Sequence, residues 1–83
     1  MVETAPEIAY GWKLNAFIPR TNRDPVCIHY LVAIPDQKDA ITRLSRSAHV
    51  ARTSIEVVGA LTEEALLDFG LETGEITEVR RVD

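Results

Sequence analysis

Among its 83 residues the chain has one cysteine, two histidines, four glycines and one tryptophan. Each scarcity excludes something. With Cys27 alone no intramolecular disulfide can form, which agrees with a reducing compartment. Cys27, His29 and His49 show no recurring ligand spacing, so no metal is expected. Glycine-rich phosphate loops are missing as well. The two strand-to-helix turns carry Asp36 with Asp39 and Glu63 with Glu64, and those carboxylates would repel a phosphate where one would sit. No nucleotide or other cofactor is expected. The longest unbroken apolar run, Tyr30 to Ile34, is far short of the ~18 residues of a membrane helix, so no membrane partner is expected. The first seven residues contain Glu3 and Glu7, no base and no apolar core. This predicts neither a signal peptide nor a transit peptide, and a cytoplasmic location.

What is present points to a small folded domain. Hydrophobic residues make up 46% of the chain and charged residues 27%, a balance too apolar for intrinsic disorder. The length supports one core, expected over residues 8–83 behind a flexible tail at 1–7. A chain this short buries only a little over ~60% of its unfolded surface, which favours stabilisation by self-association.

The apolar pattern sets out the elements. Even positions from Ile8 to Ile18 are apolar while Lys13 and Asn15 fall between them, the period of a half-buried strand. Pro19 to Pro25 concentrates turn residues and predicts a hairpin loop of moderate length. Val26 to Ile34 is nearly all apolar and predicts a central strand covered on both faces. Asp36, accepting from the Asp39 amide, starts a helix whose apolar face is Ala40, Ile41, Leu44 and Ala48. Thr53 to Ala60 reads as a strand. Thr62 then caps a short helix, Leu61 and Leu66 form a hydrophobic staple, and Gly70 with Leu71 forms a Schellman stop. Ile76 to Val82 is a last strand, at an edge. The expected fold is α+β, an α/β sandwich of order ββαβαβ. It has a single mixed four-stranded sheet, an N-terminal hairpin, two helices packed on it, and a right-handed parallel crossover between the second and third strands.

Net charge is −4, but the charges are segregated. Residues 20–52 are net basic, whereas residues 53–79 hold acids and no base. Arg43, Arg46, His49 and Arg52 are spaced by three, so on one continuing helix they would sweep half its circumference. With Arg20 and Arg23 from the hairpin they form the candidate partner-binding set. Cys27 and His29 share a strand face and could form a thiolate–imidazole dyad, but Leu31 and Ala33 on that face mark it as covered, and no orienting third group is apparent. Tyr10 and Trp12 share the face of Leu14, Ala16 and Ile18, which places them in the core rather than on a stacking platform.

No catalytic constellation emerges from these residues. The expected function is a non-catalytic protein-interaction or regulatory module that self-associates, the basic middle of one copy meeting the acidic C-terminal half of another, or a sheet edge meeting a partner. One alternative is binding of nucleic acid or another polyanion through Arg20, Arg23, Arg43, Arg46 and Arg52. A second is a small enzyme or accessory subunit using Cys27 and His29.

Overall fold

The computed structural model describes residues 9–82. The expected tail at 1–7 and the strand start at Ile8 lie outside the described residues. The elements are β1 (Gly11–Arg20), β2 (Arg23–Val32), α1 (Gln37–Ala48), a short 3-10 turn (Arg52–Ser54), β3 (Ile55–Leu61), α2 (Glu63–Phe69) and β4 (Ile76–Val82). They form an α+β fold in which one sheet of order β3-β1-β2-β4 carries a helix on each face.

Every pair of neighbouring strands is antiparallel, so the expected mixed sheet is corrected. β2 and β3 do run in the same direction, as a strand-helix-strand unit requires. They are not neighbours, because the hairpin already sets β1 beside β2 and the crossover strand pairs with the free edge of β1. β4 takes the remaining edge of β2.

The hairpin is tighter than expected. Its turn is only Thr21 and Asn22, with Asn22 at φ 59, a conformation asparagine tolerates. Pro19 and Pro25 lie within the strands, where the β1–β2 register slips between Ile18 and Arg20. β3 pairs no further along β1 than Ala16, and β4 no further along β2 than Cys27. In that two-stranded arm a missing proline N–H interrupts only one ladder.

Alternation assigns the faces. Leu14, Val32 and Ile34 pack with Ala40 and Leu44 of α1, flanked by Trp12, Tyr30, Ile41 and Ile55. Trp12 joins this core as expected, its Nε1 donating to the Pro35 carbonyl at 2.9 Å, whereas Tyr10 is exposed. The Asp36 carboxylate caps α1 by accepting from the Lys38 amide at 3.3 Å, one residue earlier than expected. The helix closes at Ala48, where His49 turns left-handed (φ 57) and Ser45 Oγ donates to the Val50 carbonyl.

On the opposite face Leu66 of α2 packs on Leu31, Ala33 and Leu61. This helix is built as its sequence implies. Thr62 Oγ1 accepts from the Ala65 amide at 3.2 Å, and Gly70 stands at φ 66. The Leu71 and Gly70 amides close the end on the Leu66 and Leu67 carbonyls, the paired bonds of a Schellman motif. Gly11 makes the close approach beneath it: a Cβ there would lie 2.4 Å from the Val32 carbonyl oxygen. Among the described residues no helix is long and apolar enough to cross a membrane.

Candidate functional site

The two helices cover unequal amounts of sheet. Seven residues of helix reach about 10 Å, against roughly 33 Å for a ten-residue strand, so α2 shelters one end of its face. Leu31 and Ala33 lie under it and are buried. His29 and Cys27, two and four residues nearer the hairpin than Leu31, are only half-buried. The expectation of a strand covered on both faces along its whole length is therefore corrected, because the cover ends where α2 ends.

The uncovered half-face is apolar with a polar row across it. Val58 is 55% exposed, Val79 50% and Val82 42%, and Phe69 at the end of α2 is 56% exposed. Val58, Val79 and Phe69 line, with Lys13, Asn15 and His29, a shallow groove of about 230 Å³. The strand register aligns Glu56, Asn15, His29 and Arg80 across all four strands. At the centre of the row His29 donates from Nδ1 to Asn15 Oδ1. The next row toward the hairpin is Phe17, Cys27 and Val82.

Asn15 is the orienting group for His29 that spacing alone did not reveal, because the register that brings β1 residue 15 opposite β2 residue 29 is a tertiary property. The imidazole is held across the strands toward Asn15. Cys27 sits two residues along β2, about 7 Å away through the backbone and beyond the ~3.2 Å of a proton-transfer contact, and among the described residues no hydrogen bond joins it to His29.

The six candidate partner-binding residues are dispersed. Arg20 and Arg23 pair across the hairpin turn, where Arg20 Nε donates to the Asp24 carbonyl at 2.9 Å, and both line a broad concavity that includes Asp24, Cys27 and Val82. Arg43 lies with Asp39 beside the Thr73–Gly74 turn, on the β4 side of α1. Arg52 lines a different groove with Lys38, Ile41 and Thr53. Arg46 and His49 are exposed at the C-terminal end of α1. Because the helix stops at Ala48, the continuous sweep from Arg43 to Arg52 does not form, and the expectation of one helical surface is corrected.

Both sheet edges are interrupted. Val58 is an extra residue opposite the Lys13–Leu14 step of β1, and Val79 is an extra residue opposite the His29–Tyr30 step of β2. Such bulges twist an edge away from further pairing, and β4 adds the charges of Glu78, Arg80 and Arg81. Glu78 and Arg81 form an exposed ion pair at 3.3 Å, whose contribution to stability is small. On the α1 face the Tyr30 phenol is pushed above its ordinary pKa, first by burial and then by the Glu78 carboxylate, while Arg81 opposes the rise.

Comparison with protein-family models, with curated proteins and with solved structures finds no match to this chain. The functional reading rests on the geometry alone.

Proposed function

We propose that the protein is a small non-catalytic interaction module that self-associates through the half of the sheet face that α2 leaves uncovered. The observation that carries this reading is the grouping of Val58, Val79, Val82 and Phe69 on one side of the sheet, each more than two-fifths exposed. Exposed apolar surface of this kind, with Val58, Val79 and Phe69 around one groove and Val82 beyond the polar row, is stabilised by a partner. The bulged edges favour docking by the face over docking by an added strand. The dispersal of Arg20, Arg23, Arg43, Arg46 and Arg52 over separate grooves does not favour a polyanion surface.

The test is the solution mass by light scattering on a sizing column, for the natural chain and for the Val58→Lys/Val79→Lys variant. The natural chain is expected to run as a dimer or larger, and the variant as a folded single chain. A natural chain that remains a single copy at every concentration and ionic strength overturns the self-association.

A further inference from the structure

The uncovered half-face and the outward side of α2 are complementary in charge. At 100° per residue, Glu64 and Asp68 stand opposite Leu66, the residue buried against the chain's own sheet, and point away from it. Leu67 lies on the adjoining flank and, at 73%, is the most exposed large apolar side chain described. α2 contains Glu63, Glu64 and Asp68 and no base. The half-face contains Lys13, His29 and Arg80, with Glu56 as the acid at its β3 edge, around the valines and Phe17.

We infer that the occupant of the uncovered half-face is α2 of a second copy, docked reciprocally in a two-fold dimer. This rests on the self-association reading. A two-fold axis lying between the sheets and perpendicular to the strands turns one copy end over end. Its α2 then falls on the half-face that the other copy leaves open, and the reverse contact forms at the same time, as an isologous interface requires. Each helix is held between two sheets. Leu66 packs on its own copy, while Leu67, Glu64 and Asp68 meet the apolar and basic groups of the other.

The alternative axis, parallel to the strands, would stack the two α2 helices on each other with their acidic sides together, and charge and volume both oppose it. A stable interface of roughly 800 Å² per copy would be about an eighth of the 6048 Å² surface.

Charge exchange tests the arrangement. Variant one, Glu64→Lys/Asp68→Lys, makes the helix basic, and variant two, Lys13→Glu/Arg80→Glu, makes the half-face acidic. Every substituted side chain is exposed, and circular dichroism checks that each variant is folded. Alone, each variant sets like charge on like at both contacts and is expected to dimerise at least about tenfold more weakly than the natural chain. Mixed, they pair a basic helix with an acidic face and an acidic helix with a basic face, and a heterodimer of near-natural affinity is expected.

If variant one dimerises as the natural chain does, or if the mixture gives no heterodimer, α2 is not the occupant and only the self-association stands. If the natural chain is itself a single copy throughout, the self-association and the docking of α2 fall together.

Discussion

The two faces of the sheet share the same four strands yet differ in closure. One lies under a twelve-residue helix that buries Ala40 and Leu44, and the other lies under a seven-residue helix that buries only Leu66. The alternation that sends Leu14 and Val32 to one side sends Asn15, Cys27 and His29 to the other, so both faces come from one strand pattern. The difference teaches that helix length, more than strand composition, decides where this fold keeps a free apolar surface.

Leu44→Ala bears most heavily on this comparison, since Leu44 is fully buried at the centre of the closed face. A loss of about 3 kcal/mol in denaturant unfolding is expected. Leu66→Ala, at the border of the open half, leaves a space its surroundings can close more easily and should cost nearer 2 kcal/mol. An equal or larger loss at Leu66 would break the contrast between the faces.

Thr62→Ala removes the bond from Ala65 that starts α2 and should cost about 1 kcal/mol by the same measurement. If α2 completes the interface of a second copy, this substitution also weakens dimerisation. A change of dimer affinity without change of stability would place Thr62 at the contact itself.

The smallest effect concerns Tyr30. In a Tyr10→Phe background it is the only tyrosine, and its absorbance titration should have a midpoint above 10.0. Removal of Arg81, which holds the value down, should raise it further. A phenol raised on folding contributes stability that is complete below its unfolded pKa and is lost as pH rises through the folded one. Unfolding free energy is therefore expected to decline slightly above pH 10, and a midpoint at or below 10.0 would mean that the phenol is not buried on the closed face.

Much of the secondary structure was legible because its signals are local. Thr62, Leu61, Gly70 and Leu71 specify the ends of α2 through bonds within a few residues, and the structure contains those bonds. Ala40, Ile41, Leu44 and Ala48 likewise mark the inward side of α1. The hairpin is less legible because Pro19 and Pro25 read as turn residues, whereas a two-stranded arm accommodates them within its strands. The basic set was legible as residues and illegible as a surface. Three-residue spacing groups arginines only while a helix continues, and His49 ends this one before Arg52. The half-face was hidden for a related reason, since Val58 and Val79 sit at bulges that no alternation pattern reveals.

By itself the sequence determined the α+β class, the number of strands and helices, the inward residues of both helices and the segregation of acid from base along the chain. These follow from periodicity, capping and composition, which act over a few residues. Only the tertiary structure decided that all neighbouring strands are antiparallel, that Asn15 meets His29, that the arginines are scattered, and that one sheet face is half open. Each depends on strand register or on how far a helix reaches over a sheet, and those distances are set between segments far apart in the chain.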